Sequence, residues 1–158
     1  MMMNKQIDIK IGNSDNNESN PYERGQSLAE MALMMSLLLI LLVGVIDVGR
    51  GIFVYLALRD AAQEGALFGS TDPTNFTDIE TRVRNSSSLV ENLSADPNAN
   101  TNVAITIVGS ACTGNGITVR VSYDNFPITM PLLGSIIGSQ TIPISTEITD
   151  TILKPSCP

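Results

Sequence analysis

The sequence predicts an α+β protein, in which a long N-terminal transmembrane helix continues into a small domain with a second helix and a three-stranded antiparallel sheet. Residues 31–46 carry no charge, and the wider apolar run over about residues 28–53 exceeds the roughly 20 residues that a helix needs to span a bilayer. No proline interrupts residues 25–70, so the same helix is expected to continue beyond the membrane. After residue 100, apolar and polar residues alternate with the period of two that is typical of strands.

The composition limits the kinds of protein that this chain can be. With 158 residues and 43% apolar content, the chain has room for one small core besides the membrane segment. The net charge of −7 and the isoelectric point of about 4.4 disfavour nucleic acid as a partner, because proteins that bind it use Lys and Arg to neutralise phosphates. The sequence contains no His, so a Ser-His-Asp or Cys-His arrangement cannot be assembled, and we expect no catalytic activity. We expect no cofactor and no metal site either, since the Asn-rich residues 95–102 lack the ligand order of an EF-hand.

Three segments follow one another along the chain. Residues 1–25 form a polar leader, rich in Asn and Ser, which we expect to be flexible and removable. Residues 26–70 form the long helix, and residues 71–158 form an α+β domain. The leader is not a Sec-type signal peptide, because the apolar stretch is too long and no Ala-x-Ala site follows it. An uncleaved signal anchor is the alternative.

Charged residues at two places in the long helix are candidates for a role in assembly. Glu30 lies one turn inside the apolar run, where an ionised side chain costs about 3 kcal/mol on insertion scales. Taken alone, it is explained as well by an interfacial residue whose carboxylate reaches the lipid headgroups. Asp47 and Arg50 are three residues apart and can face each other. They either mark the end of the span or contribute to contacts between subunits.

A stripe of small residues continues along the same helix. Ala57, Ala61, Gly65 and Gly69 recur at steps of four, so they would let another element approach the helix backbone closely. That element is either the chain's own sheet or a neighbouring subunit, and different faces of the helix could serve both.

The domain is expected to open with a second helix. Asp72-Pro73 is a turn signal that ends the first helix. Thr77 and Glu80 then match a capping box, which predicts that the second helix starts there. An apolar stripe predicts that this helix runs on until just before Asp96. Its members are Ile79, Val83, Val90 and Leu93.

Three strands are predicted after the second helix, over residues 103–107, 117–123 and 141–153. A Gly-rich loop joins the first two as a hairpin. Pro143 in the third strand favours an edge position or a bulge, because proline cannot donate to a ladder. The linker over residues 124–140 is the most apolar loop of the chain. It either folds back onto the core or exposes a patch that touches membrane or a partner.

The two cysteines, Cys112 and Cys157, both follow the membrane segment, and their wide spacing fits no zinc or redox motif. A disulfide between them is the better interpretation if the domain is extracytoplasmic, and it would contribute about 4 kcal/mol in the chain-entropy model. In a three-strand meander, the strand ends that precede the two cysteines lie at the same end of the sheet, which makes the pairing reasonable. Two buried free thiols in a reducing compartment are the alternative.

The beginning of the long helix resembles a known processing site. Gly25 is followed by Gln-Ser-Leu-Ala-Glu and then by the apolar helix, as in the precursors of type IV pilin-like proteins. The longer string over residues 24–69 resembles more specifically the TadE-like family of pseudopilins from tight-adherence (Flp/Tad) pilus systems. A second, weaker likeness is the element Pro131-Leu132-Leu133-Gly134 between two strands.

The resemblance implies a role in structure and assembly. A prepilin peptidase would cut after Gly25, Gln26 would become the new N-terminus, and Glu30 would become the buried assembly carboxylate. The free amine of a neighbour's Gln26 would neutralise Glu30, and this pairing could set the axial register between subunits. One departure is that an N-terminal Gln can cyclise and lose its amine.

The resemblance also implies partners and a location. The partners would be the prepilin peptidase, other pilins or pseudopilins, the pilus assembly platform of the inner membrane, and the lipid bilayer. The protein would cross the bacterial inner (cytoplasmic) membrane once, with its C-terminal domain extracytoplasmic, and would either stay there or enter an extracellular pilus. The competing hypothesis is a single-span anchor that is not processed and whose domain binds an extracytoplasmic ligand.

Overall fold

The computed structural model describes residues 21–130 and 133–156, with side chains from residue 25 onward. Its α+β architecture confirms the predicted fold class. The predictions for residues 1–20, for Pro131 and Leu132, and for Cys157 lie outside the described residues. The elements are α1 (Pro21–Thr71), α2 (Phe76–Arg84), α3 (Ser88–Ala95), β1 (Thr101–Val108), β2 (Gly116–Pro127), α4 (Leu133–Ile137) and β3 (Thr141–Thr151).

The long helix α1 begins earlier than predicted. It starts at Pro21, and proline suits the first turn of a helix because its missing N–H would have no helical partner there. Residues 21–25, which we expected to belong to a flexible leader, are therefore helical. Within the described residues, the helix over Gly25–Thr71 is long and apolar enough to cross a membrane. Its most apolar part has a mean hydropathy of 2.6, and only 6% of that part is buried within the protein.

The chain divides into two units, residues 1–38 and residues 39–158. In the first unit every described side chain, from residue 25 to residue 38, is exposed. The second unit contains the rest of α1 and the whole α+β domain.

The predicted second helix is two helices, and its predicted cap is wrong. Asn75 caps α2, since its side-chain oxygen accepts a hydrogen bond from the backbone N–H of Asp78 at 3.3 Å. Thr77 lies inside the first turn instead, and Glu80 pairs with Arg84 at 2.7 Å. The chain then leaves the helix and starts α3 with Ser87 as a second cap. The predicted stripe still faces the core: Ile79, Val83 and Val90 are fully buried, and Leu93 is partly buried.

The sheet is the predicted meander, with β2 in the centre and both neighbours antiparallel to it. Ile105 pairs with Val119, which in turn pairs with Ile148. β2 runs on to Pro127, so the start of the expected loop is strand. A bulge separates Tyr123 from Phe126 in β2, and Pro143 lies opposite it on the edge strand β3. Both positions favoured for Pro143, an edge and a bulge, are therefore confirmed.

The core lies between the C-terminal half of α1 and one face of the sheet, with α2 and α3 closing its side. Ile117, Val119 and Val121 of β2 are at most 1% exposed. From α1, the core receives Leu58, Ala61, Ala62 and Ala66, all fully buried. Burying a large aliphatic side chain such as Leu58 contributes about 1.5–3 kcal/mol to the stability of the fold.

Close packing at Gly65 makes the first testable prediction. A methyl group at Gly65 would collide with Cγ2 of Val83 and lie 3.4 Å from Cγ1 of Val119. Overpacking of this kind costs about 1–3 kcal/mol, whereas replacing Gly by Ala inside a helix gains up to about 1 kcal/mol. We expect Gly65→Ala to lower the melting temperature of the full chain in detergent, followed by circular dichroism.

Gly49→Ala is the matched control, because no atom lies within 4 Å of the position that its Cβ would take. It changes the same backbone propensity without the collision, so it should leave the melting temperature unchanged or raise it. Equal shifts in both variants would contradict the close packing at Gly65.

Candidate functional site

The site centres on the carboxylate of Asp47, which ends the charge-free part of α1 and is only 8% exposed. One carboxylate oxygen, Oδ2, accepts hydrogen bonds from the backbone N–H groups of Thr129 at 2.8 Å and Met130 at 2.7 Å. The other, Oδ1, accepts one from the Thr129 hydroxyl and lies 3.5 Å from Nη1 of Arg50. We call these four residues, Asp47, Arg50, Thr129 and Met130, the Asp47 clasp.

The chain forms the clasp because of where β2 ends. The strand stops at Pro127, and the next N–H, of Ile128, donates to the carbonyl of Gln140 at 2.9 Å. The N–H groups of Thr129 and Met130 then turn to the carboxylate. A buried carboxylate is costly unless it is hydrogen-bonded, and bonds from N–H groups to a charged acceptor are among the stronger ones. The same hydrogen bonds therefore provide partners for the carboxylate on the helix and for the backbone N–H groups of the loop.

Arg50 contributes less to the clasp than the sequence suggests. Its side chain is 46% exposed, and its contact with Asp47 is longer than those of the two backbone N–H groups. The guanidinium also lies 5.4 Å from the ring centre of Phe126 and donates to the Thr129 hydroxyl at 3.4 Å. Exposed ion pairs contribute little, so the N–H donors of the loop provide most of the stabilisation.

Behind the clasp, Phe126 packs edge-to-face on Tyr123, with ring centres 6.1 Å apart. Burial raises the pKa of the Tyr123 hydroxyl, and the nearby Asp96 carboxylate adds to this rise. The phenol therefore stays neutral well above physiological pH.

One part of the apolar segment over residues 124–140 folds back onto the core, and another part is exposed, so both alternatives stated for it apply. Phe126 and Ile128 are buried, so the first part folds back onto the protein. The sulfur of Met130 lies 3.3 Å from where a Cβ would stand on Gly44. The last part is the short helix α4, where Ile136 is 81% exposed and Ile137 is 52% exposed.

An apolar groove of about 490 Å³ lies between this linker and α1. Its walls carry no charge except at the Asp47 clasp. Among the lining residues are Leu41, Val45, Val48, Met130 and Leu133.

A second, larger groove of about 1040 Å³ lies on another side of the domain, between α1 and the pair α2–α3. It is mixed in character, with Phe53, Asp60 and Leu89 in its walls. Arg82 spans it, since its guanidinium lies 3.4 Å from Glu64 and 4.9 Å from the ring centre of Phe68. Among the described residues, no group of three His, Cys, Asp or Glu side chains is arranged to hold a metal ion.

The predicted processing and assembly residues lie at the N-terminal end of α1. Gly25, Gln26 and Glu30 are all helical and exposed. No described atom lies within 4 Å of where a Cβ would stand on Gly25. No hydrogen bond or ion pair joins Glu30 to another described side chain. These residues belong to the first unit, and the Asp47 clasp belongs to the second.

The stripe of small residues is occupied by the chain itself. Ala61, Gly65 and Gly69 are buried, and Ala57 is half-buried. Cβ atoms on Gly65 and Gly69 would meet side chains of α2 and β2; at Gly69 the nearest atom is Cδ1 of Ile117, at 2.5 Å. This face of α1 packs against the protein's own sheet and α2.

The loop that carries Cys112 lies beside the C-terminal segment. Thr113 donates its backbone N–H to the carbonyl of Pro155 at 2.9 Å, and its hydroxyl to the carbonyl of Leu153 at 3.1 Å. The loop is thus close in space to residues just before Cys157. Because Cys157 itself lies outside the described residues, its pairing with Cys112 stays a prediction.

Comparison with known proteins adds one finding. A family model described as TadE-like protein matches residues 25–67. Over these residues the long helix is similar to that family. The match begins at Gly25, contains Glu30 and Asp47, and stops near the end of α1, so it covers the helix and not the sheet. No characterised protein and no solved structure shows a significant match to the chain.

This match confirms the resemblance seen in the sequence over the long helix. The apolar TadE-like helix also fits a protein that crosses the membrane once.

The sequence predicts two of the four residues of the Asp47 clasp and not the other two. The spacing of Asp47 and Arg50 predicts their contact, which the structure has. Thr129 and Met130 were missed, because they lie 82 and 83 residues away from Asp47 and act through backbone N–H groups. The sequence signals that point to this loop are its unusual apolarity and the element Pro131-Leu132-Leu133-Gly134.

The clasp makes a prediction about stability. Asp47→Ala removes the acceptor of two part-buried backbone N–H groups, at a cost of up to about 3 kcal/mol. We expect a lower melting temperature of the full chain in detergent and faster hydrogen exchange at the amides of Thr129 and Met130.

Two further variants serve as references. Arg50→Ala should cost no more than about 1 kcal/mol, because the ion pair is long and exposed. Asp60→Ala removes another α1 carboxylate, one that is exposed, and should change little. A loss in Arg50→Ala as large as that in Asp47→Ala would contradict the dominant role of the loop N–H groups.

Proposed function

We propose that the protein is a TadE-like minor pseudopilin of a tight-adherence type IV pilus or a related secretion system, and that a prepilin peptidase cleaves its precursor after Gly25. The observation that carries this proposal is the family match over residues 25–67, which begins at the Gly of Gly-Gln-Ser-Leu-Ala-Glu. The exposure of Gly25 supports the cleavage, since a peptidase needs access to the bond that it cuts.

The mechanism of such a protein is physical. Large apolar side chains are exposed on α1 from Leu28 to Val48, and each needs either lipid or another helix as a neighbour. In assembly, this surface exchanges lipid contacts for contacts with the helices of other subunits. The exchange requires no chemistry, and we propose no catalytic role for the chain.

Glu30 fixes how far one subunit's helix is shifted along its neighbour's when the helices pack. An ionised carboxylate is unfavourable in hydrocarbon, so a packed arrangement that pairs it with the free amine of a neighbour's Gln26 is favoured over arrangements shifted along the helix. The exposure of Glu30, and the lack of a partner for it among the described residues, leave its carboxylate available for such a contact.

The proposed location follows from the same features. The protein crosses the inner membrane once through α1, with its α+β domain on the extracytoplasmic side. The domain is held by the C-terminal half of α1, so the assembly surface and the domain use different parts of one helix. The prepilin peptidase, other pilins and the inner-membrane assembly platform are its proposed partners.

Processing is tested on the full chain purified from membranes of cells with an active prepilin peptidase. Intact mass and terminal sequencing should give a start at Gln26, either free or cyclised. Gly25→Leu should keep the leader, while Gly49→Leu, also at a helical glycine of α1 with open space around it, should be processed normally. A start at Met1, Met2 or Met3 in wild-type protein would contradict the proposal.

The role of Glu30 is tested by Glu30→Ala and Glu30→Gln in cells that assemble pili. We expect both to reduce cross-linking of the protein to other pilins, because neither side chain can form an ion pair with an amine. Asp60→Ala, at an exposed carboxylate outside the apolar run, is the control. Undiminished cross-linking of both Glu30 variants would mean that the amine pairing does not operate.

The larger groove favours a second candidate function, that of an anchored binding module. Its volume of about 1040 Å³ and its mixture of aromatic and charged walls suit a polar ligand. This alternative requires an unprocessed N-terminus and a chain that remains monomeric in the membrane. Intact mass together with cross-linking of the same membrane preparation therefore separates the two functions.

A further inference from the structure

We propose that residues 128–130 and the short helix α4 (Leu133–Ile137) insert into the membrane leaflet that faces the domain, next to α1, and form a second contact with the bilayer that does not span it. The proposal rests on the membrane placement of α1. It is independent of processing at Gly25 and of entry into a filament.

The position of the loop along α1 carries the inference. The charge-free run over residues 31–46 is 16 residues long, or about 24 Å at 1.5 Å per residue, whereas the hydrocarbon core of a bilayer is about 30 Å thick. Any placement that immerses this run therefore puts Gly44 inside the hydrocarbon. Met130 lies directly against Gly44, so the loop reaches the same depth.

The composition of the segment suits that environment. No Asp, Glu, Lys or Arg occurs between Asp124 and Glu147. Ile136 and Ile137 point away from the protein, with exposed fractions of 81% and 52%. An exposed pair of this kind next to a membrane helix is best covered by acyl chains.

The apolar groove indicates lipid rather than a protein as the neighbour. It opens beside Leu41, Val45 and Val48, which are 61%, 70% and 64% exposed on the part of α1 that ends the span. The exposed apolar surface of the helix thus continues into Met130 and Leu133 of the loop, and the one charged residue that lines the groove, Asp47, is hydrogen-bonded within the clasp. A continuous apolar surface of this kind matches the acyl region of the same leaflet.

The Asp47 clasp and the adjacent carbonyl of Gln140 lower the cost of inserting the first part of the segment. Backbone N–H groups without partners are costly in hydrocarbon, where water cannot satisfy them. Asp47 accepts from the N–H groups of Thr129 and Met130, and the carbonyl of Gln140 accepts from that of Ile128. Arg50 lies one turn further out with its side chain about half exposed, where it can reach lipid phosphates.

Tryptophan fluorescence tests the insertion, because the chain has no Trp of its own. Ile136→Trp reports on the segment, and exposure of Ile136 means that the larger ring fits without repacking. Leu42→Trp in the span is the positive control. Val108→Trp at the far end of β1, 59% exposed, is the negative control. Each full-length variant is reconstituted in phosphatidylcholine vesicles whose acyl chains carry bromine, a quencher of Trp emission.

We expect the emission of Ile136→Trp to be blue-shifted relative to Val108→Trp and to be quenched nearly as strongly as that of Leu42→Trp. Adding Ile137→Glu to Ile136→Trp should reduce the quenching, because a charge next to the probe opposes insertion. Adding Val108→Glu to Ile136→Trp should leave it unchanged.

Three results would overturn the proposal. In the first, Ile136→Trp is quenched no more than Val108→Trp while Leu42→Trp is quenched, so the segment lies in water. In the second, the emission of Ile136→Trp is blue-shifted but unquenched, so protein, such as a second copy of the chain, covers it. In the third, Leu42→Trp itself is unquenched, so the span that the insertion requires is absent.

Discussion

The need to satisfy the carboxylate of Asp47 is the constraint on which the rest of the structure depends. Asp47 stands where the charge-free part of α1 ends, and its side chain is buried, so an unpaired charge there is costly. Two backbone N–H groups and one hydroxyl of the loop after β2 supply the hydrogen bonds that it needs. Because that loop follows the central strand of the sheet, the same contacts hold one end of the sheet next to α1.

The other end of the sheet is held by close packing. At Gly65 and Gly69 the helix has no side chain, so Val119 and Ile117 of β2 approach its backbone. Polar contacts at Asp47 and apolar contacts at the small-residue stripe thus fix the central strand along α1 at two places. The helix serves two purposes as a result. Its apolar residues before Asp47 are mostly exposed, while one face of the helix from Val54 onward, with Leu58, Ala61, Ala62 and Ala66, is buried in the core of its own domain.

Much of this could be predicted from the sequence, where a local pattern decides the outcome. Hydropathy predicts α1, the period of two predicts the meander, and Pro143 predicts an edge or a bulge. The predictions that were wrong or incomplete depend on a choice between two equally suitable cap residues, or on contacts between residues far apart in the sequence. Asn75 and Thr77 are both good caps two residues apart, and only the path of the chain after Pro73 decides between them. The partners of Asp47 are backbone groups far along the chain, which no spacing rule detects.

The division of α1 into an assembly surface and a domain-bound half is tested most directly by photo-cross-linking in cells that assemble pili. A photoreactive residue at position 37 or at position 67 replaces a leucine in each case, and the two are similarly exposed, at 56% and 52%. We expect position 37 to cross-link to a second pilin-like chain and position 67 to do so far less. Cross-links to other proteins from position 67, with only lipid adducts from position 37, would contradict the proposed use of the helix.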